Sequence, residues 1–208
     1  MFKIGVLVSG NGTNLQAIID SINNGFIKNA RIETVVTNKE DAFALQRAKN
    51  NNIETKIIKV KSFENKQLYE DALIDYLKEK ELDLIVLAGF MVILSEKFVN
   101  SFKNKIINIH PSLIPAFSGE GYYGLKVHEG VLKRGCKITG ATVHFVTEEA
   151  DDGPIIIQKA VSVKDDDTEE TLQQRVMEEA EWLILPEAIN LILNKKIKIV
   201  DNIVRRIC

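Results

Sequence analysis

The hydrophobic pattern switches between two periods along the first hundred residues. Residues 3–9 (KIGVLVS), 32–37 (IETVVT), 55–60 and 84–88 (LIVLA) are short runs rich in Val, Ile and Leu, as strands are. Between them the apolar positions recur at intervals of three and four. Leu15, Ile18, Ile19 and Ile22 mark a helix over 14–24, with Gly25 as its stop. A shorter helix spans 42–49, and Leu68, Ala72, Leu73, Tyr76 and Leu77 form the stripe of a third over 65–81. The 84–88 run has no polar position, which suits a parallel strand covered on both faces. Strands alternating with such helices predict βαβ units, right-handed crossovers and a mostly parallel sheet.

The second half changes character. Residues 112–135 have no clear period and carry several glycines and a pair of tyrosines, which predicts a long loop and a short helix near 126–134. Two further strands, 140–146 and 155–163, are joined by the acidic turn 148–154. Thr168 is placed to cap a helix whose first turn holds Glu169 and Glu170. That helix runs towards Leu193, and Pro186 is expected to kink or divide it. The basic tail (Lys195, Lys196, Lys198, Arg205, Arg206) reads as a solvated end. No composition shift marks a linker, so residues 1–208 read as one domain with a phosphate-binding half (1–100) and a second half (101–208).

Composition narrows the classes. At 208 residues and 45% hydrophobic content the chain can bury a sizeable core. A formal net charge of −2 lacks the basic stripe of a nucleic-acid binder. The longest apolar run, 84–94, is too short for a membrane span, and the N-terminus opens directly into a strand rather than a signal peptide. Cys136 and Cys208 have no metal-ligand spacing and imply no disulfide framework. The expectation is a cytoplasmic protein, monomer or homodimer, that binds small molecules and neither nucleic acid nor membrane.

Three unusual segments fall at predicted carboxyl ends of strands, where α/β sheets bind ligands. Gly10-Asn11-Gly12-Thr13-Asn14 joins a strand to a helix and can present backbone N–H groups to an anion; a plain turn with a capping residue would read the same way. Ser9 beside it is a candidate anion contact. Residues 89–94 follow the fourth strand. Asn108-Ile109-His110-Pro111 follows a fifth, and period two puts Asn108 and His110 on one face. A carboxamide and an imidazole side by side can hold a developing oxyanion, and a carboxylate such as Asp151 would raise the pKa of His110 and orient it. His128 reads as a surface residue, and His144, inside an apolar strand, as either a hydrogen-bonded core histidine or a catalytic one. No serine or cysteine nucleophile stands out, and three scattered histidines offer no metal-ligand spacing, so no metal is expected.

The stretches SGNGTNLQ (9–16), VTNK (36–39), LAGFM (87–91), NIHPSLIP (108–115), HFVT (144–147) and DDGP (151–154) together resemble the phosphoribosylglycinamide formyltransferase family of folate-dependent enzymes, in order and over nearly the whole chain. The resemblance implies a three-layer α/β/α fold with a mostly parallel seven-stranded sheet and a Rossmann-like N-terminal half. It implies transfer of the formyl group of 10-formyltetrahydrofolate to the amine of 5-phosphoribosylglycinamide, through a tetrahedral intermediate. It assigns Asn108, His110 and Asp151 to catalysis, with His110 protonated. Gly12, Thr13 and Asn14 would hold the substrate phosphate, and Glu178 and Glu181 would lie near the glycinamide. In this stretch the helix is one residue longer than the family pattern, and the distance from Glu181 to Pro186 matches it. The folate would lie along Lys66, Met91, Val92, Ile93 and Leu94, and along Asn108, Thr147, Glu148, Glu149, Ala150 and Asp151. Lys66 and Val92 stand where the family often carries arginine, and 116–127 differs from shorter variants.

Two relatives share the NxHPSLxP element: a methionyl-tRNA formyltransferase, which would need a further domain and a basic surface, and a formyltetrahydrofolate hydrolase, which usually carries an additional N-terminal domain. A nucleotide-binding sensor module is the non-enzymatic alternative, and it leaves the polar trio unexplained.

Overall fold

A computed structural model describes residues 1–207. They form nine strands and seven α-helices, with a 3₁₀ turn (Val60–Ser62) and a π-helical turn (Met177–Glu181). Two compact units emerge, Met1–Ile107 and Asn108 onward, and strand β5 (Ile106–His110) ends one and begins the other. The principal sheet has seven strands in the order β3-β2-β1-β4-β5-β6-β7. The fold is of the expected α/β class.

In the first unit β1 (Phe2–Leu7) lies between β2 (Ala30–Thr37) and β4 (Leu84–Leu87), parallel to both, and β3 (Thr55–Ile57) extends the edge, parallel to β2. All four residues of β4 are buried. Burial of such side chains is worth about 1.5–3 kcal/mol each, which is why an unbroken apolar tetrapeptide sits inside a parallel sheet and not at its edge. The chain winds from β1 outward to β3 and then crosses back to β4. The carboxyl ends of β1 and β4 therefore flank a topological switch point, where connections diverge and a crevice opens. The segments that follow these two strands, 8–12 and 88–95, both start there.

Helices α1 (Thr13–Asn23), α2 (Phe43–Asn50), α3 (Lys66–Glu79) and α4 (Glu96–Ser101) complete this unit. The buried face of α3 is rotated from the expected stripe: Tyr69, Glu70, Leu73, Ile74 and Leu77 are inside, whereas Leu68 is 45% exposed. Periodicity assigned an acid to the wet face, yet Glu70 is only 2% exposed. Helix α4, too short to show a period, was not legible; its N-cap is Ser95, which accepts from the Phe98 N–H.

In the second unit β6 (Ile138–Phe145) and β7 (Ile155–Ser162) pair antiparallel. Helix α5 (Leu125–Arg134) packs on α6 (Glu169–Val176), and α7 (Trp182–Leu193) lies against β6 and β7. The Thr168 cap is present as a capping box with Thr171. The long C-terminal helix is interrupted before Pro186, at the π-turn, and Pro186 lies inside a continuous α7. A π-turn takes up one residue more than an α-turn, and this one ends at Glu181. The five basic residues of the tail are exposed, as expected of a solvated end, but the tail is a hairpin, β8 (Ile197–Val200) and β9 (Ile203–Arg206). Its two turn residues, Asp201 and Asn202, both have positive φ, the backbone that matches strand twist in a two-residue hairpin loop. No helix among the described residues is long and apolar enough to cross a membrane.

Gly12 caps α1 at φ 73°, and a Cβ there would lie 2.8 Å from the Ala44 Cβ. Left-handed strain and a rigid neighbour act together at this position. The expected outcome for Gly12→Ala is a loss of about 1–3 kcal/mol in urea unfolding, with the α2 side of the loop displaced.

Candidate active site

Strand β5 delivers Asn108 and His110 on one face, and β6 delivers His144. Asp151 reaches them from the turn between β6 and β7. That turn is set by Gly153, where any side chain would run into the Phe145 carbonyl, and it closes with a 2.9 Å hydrogen bond from the Phe145 N–H to the Pro154 carbonyl. Asp151 itself has φ 56°, a left-handed conformation that short polar residues adopt more readily than others and that turns its carboxylate inward. Its side chain is 15% exposed.

The three residues expected to act together do converge. Asp151 Oδ2 lies 3.4 Å from His110 Nδ1, and Asp151 Oδ1 lies 3.4 Å from Asn108 Nδ2. His144 joins them: its Nε2 is 3.2 Å from Asn108 Nδ2 and 3.5 Å from Asp151 Oδ1. Its Nδ1 lies 2.9 Å from the Phe145 carbonyl oxygen, which only a protonated nitrogen can approach favourably. In the neutral tautomer Nε2 is then the acceptor for the Asn108 amide. The sequence left His144 between two readings, and the structure puts it in the cluster. A histidine one residue from the end of an apolar strand, on the strand preceding an acidic turn, was the available signal.

The segment after His110 folds over this cluster. Thr142 donates to the Ser112 carbonyl at 2.6 Å and accepts from the Ile114 N–H at 3.2 Å, and Ser112 donates to the Ala116 carbonyl at 2.6 Å. Phe117, at φ 50°, then presents its carbonyl 3.0 Å from His110 Nε2, and the Gly119 N–H donates to Asp151 Oδ2 at 3.0 Å. A loop carbonyl thus occupies the hydrogen-bonding position of His110 in this conformation, and His144 and Asp151 lie within reach of the Asn108 amide.

Electrostatics correct one expectation. Burial pushes His110 down; Asp151 and the Phe117 carbonyl pull it up, and the charge of His144 pushes it down again. The net direction is below the ordinary histidine value, against the rise that Asp151 alone would give, while both ring nitrogens face acceptors, the Phe117 carbonyl and Asp151 Oδ2. A buried ring loses more hydration than one carboxylate at 3.4 Å returns. For Asp151, burial pushes upward, but the hydrogen bond that His144 Nε2 gives when its ring is charged, the charge of His110 and the Gly119 N–H outweigh it and hold the carboxyl below its usual range.

The other expected positions lie elsewhere in the two units. Gly12, Thr13 and Asn14 form the N-terminus of α1. The preceding Asn11 is gripped by Arg47, whose Nε donates to the Asn11 carbonyl at 2.9 Å. Ser9 is not an open anion contact: its hydroxyl donates to Asn38 Oδ1 at 2.7 Å and accepts from the Met91 N–H at 2.9 Å. Lys66 begins α3 with its ammonium 3.6 Å from Glu70 Oε1. Met91 and Ile93 are exposed, Val92 half-buried and Leu94 buried. Thr147 is half-buried and bonds the Glu149 carbonyl at 3.3 Å, while Glu148, Glu149 and Ala150 are exposed. Glu181 is buried at the end of the π-turn; Glu178 is exposed and accepts from Gln174.

His128 is fully buried on α5, not on the surface, because the helix turns that face inward with Val127 and Val131. Neither ring nitrogen has a hydrogen-bond partner among the described residues. Burial, and then the charge of His110, push its pKa down to about 4. An unfolded chain protonates this ring near 6.5 and the folded one only near 4, so the folded state loses ground as pH falls between those values. The cost reaches about 3 kcal/mol at the acid end. His128→Leu removes this term, and its melting temperature is expected to fall less steeply than the parent's between pH 6.5 and 4; parallel curves would refute the assignment.

The formyl transferase family model matches residues 2–189. The chain is 42% identical over 203 residues to the phosphoribosylglycinamide formyltransferase of Haemophilus influenzae, covering 98% of this chain and 92% of that one. It is 42% identical over 206 residues to the trifunctional purine biosynthetic protein adenosine-3 of Bos taurus, of which it spans only 20%. The crystal structure of glycinamide ribonucleotide transformylase 1 from Symbiobacterium toebii superposes with a TM-score of 0.93 at 39% identity, covering 100% of this chain and 95% of that one. A half-buried carboxamide, two buried imidazoles and a carboxylate gathered beside the end of β5, in a chain with these relatives, make this protein a member of the formyl transferase family.

Proposed function

We propose that the chain transfers the formyl group of 10-formyltetrahydrofolate to the amine of 5-phosphoribosylglycinamide, the step of purine biosynthesis for which its relatives are named. The observation that carries the reading is the convergence of Asn108, His110 and Asp151 from segments about forty residues apart. Burying so many polar groups together is costly without a task.

The residues suit the donor. Met91 and Ile93 are 50% and 71% exposed on a backbone fixed in place, an apolar strip suited to a flat ring system. The formyl folate supplies an activated one-carbon unit whose carbonyl oxygen becomes negative as an amine adds to its carbon. His110 Nε2–H and the Asn108 amide are the donors available to that oxygen, once it displaces the Phe117 carbonyl and competes with the neighbours of Asn108. The imidazole donates through Nε2, and Asp151, beside Nδ1, stabilises the positive charge of the protonated ring.

The proton balance closes on one carboxylate. The amine nitrogen becomes positively charged, and much more acidic, as it bonds to carbon, and the Asp151 carboxylate is the base within the cluster. Asp151 accepts that proton, directly or through water, and returns it to the departing folate nitrogen as the carbon–nitrogen bond breaks. No proton is gained or lost overall. Gly12, Thr13 and Asn14 bind the phosphate at the positive end of α1. Glu181, with Glu178 in the same π-turn, binds near the glycinamide.

Turnover is tested by incubating the protein with formyl folate, with and without the ribonucleotide. Deformylation that requires the ribonucleotide supports the reading; deformylation by water alone indicates a hydrolase, and no turnover a binding module. Asn108→Ala and His110→Ala are each expected to lower kcat by about 10²–10³, roughly 3 kcal/mol of barrier. Asp151→Asn should do likewise with an unchanged circular dichroism spectrum. Near-normal kcat in any of the three would remove that residue from the chemistry.

A further inference from the structure

Helix α3 contains a buried acid that its own helix does not require. Glu70 is 2% exposed, and a buried carboxylate is costly unless its oxygens are bonded. Its Oε1 accepts the Ser95 N–H at 3.0 Å, and its Oε2 accepts from the Ser95 hydroxyl. Its remaining charged neighbour is Lys66, 3.6 Å away. Local helix energetics do not favour this pair. Lys66 stands at the first residue of α3, where the macrodipole disfavours a cation, and a lysine four residues ahead of a glutamate is the weaker order for an ion pair.

Ser95 ends the segment 89–94, and that segment has no sheet or helix ladder of its own. Its other end is fixed in the same manner. The Met91 N–H donates to the Ser9 hydroxyl at 2.9 Å, and the Ser9 N–H donates to the Gly89 carbonyl at 3.0 Å. Two side chains from distant parts of the unit therefore hold both ends of a short backbone stretch at the switch point, while Met91 and Ile93 face outward between them. A surface loop has no need of buried anchors at each end, whereas a backbone that must meet a ligand's hydrogen-bonding edge does.

We infer that Glu70 is a positioning residue for folate binding, holding the Lys66 ammonium and the 91–94 backbone in one register, with Ser9 fixing the far end. This rests on the reading of Lys66 and Met91–Leu94 as folate contacts. The family resemblance implies both positions as folate contacts, and the carboxylate of Glu70 joins them physically. Glu70 does not touch the reacting atoms. Its effect falls on binding of the donor and leaves the chemical step alone.

The test is steady-state kinetics of Glu70→Gln, varying each substrate in turn, with calorimetric titration of tetrahydrofolate. A neutral amide cannot accept both Ser95 donors on separate oxygens, and it releases Lys66. The expected result is a rise of about tenfold in KM for formyl folate and in Kd for tetrahydrofolate, with KM for the ribonucleotide and kcat within about twofold. Ser9→Ala, at the opposite end, should give a smaller rise of the same kind. In a double-mutant cycle, Lys66→Met should weaken folate binding less in the Glu70→Gln background than in the parent. A purely structural role for Glu70 predicts a lower melting temperature with both KM values unchanged, and that outcome overturns the inference. A parent protein that does not bind tetrahydrofolate or formyl folate at all would instead overturn the folate reading, and this inference with it.

Discussion

One shared carboxylate organises the second unit. Asp151 lies within 3.5 Å of two imidazoles and a carboxamide, and it accepts a backbone N–H from the loop that covers them. Each neighbour offsets part of what burial costs the charge, and the balance leaves the carboxyl lowered. The turn that carries it is correspondingly constrained: Gly153 admits no side chain against the Phe145 carbonyl, and Asp151 itself takes a left-handed backbone. A site built on a strand end would be precise in any case. Here the acid comes from a turn, and precision is supplied by steric exclusion and hydrogen bonding.

The loop after His110 belongs to this arrangement. Thr142 on β6 fixes the stretch from Ser112 to Ile114, and that places the Phe117 carbonyl on His110 Nε2 and the Gly119 N–H on Asp151. The protein's own backbone satisfies polar groups that would otherwise be buried without partners. Burial and the Asp151 carboxylate pull the His110 pKa in opposite directions, and burial has the larger effect.

The first unit solves a different problem. It presents backbone, and its side chains serve mainly to fix that backbone. Gly12 lets α1 begin against Ala44, and Arg47 holds Asn11. Ser9 and Glu70 hold the ends of the stretch after β4. All of these act where the order of strands reverses, which is where a parallel sheet leaves main-chain groups without neighbours.

The sequence by itself determined the alternation of strands and helices, the α/β class, the Thr168 cap, and the pairing of Asn108 with His110 on one face, because each follows from local period or local capping chemistry. It also held the residue types of the site. Local pattern failed wherever a side chain is defined by a distant partner. Glu70 looked solvated because an acid on an amphipathic helix usually is; its burial depends on Ser95, twenty-five positions away. His128 faces inward because of the packing of α5, and His144 could be placed only once the turn carrying Asp151 was closed. The tail became a hairpin because two residues adopt positive φ, a backbone choice that Asp-Asn permits but does not announce. Protonation went the same way: sequence proximity suggested that a carboxylate would charge His110, but how deeply that ring is buried decides the sign, and only tertiary structure sets that depth.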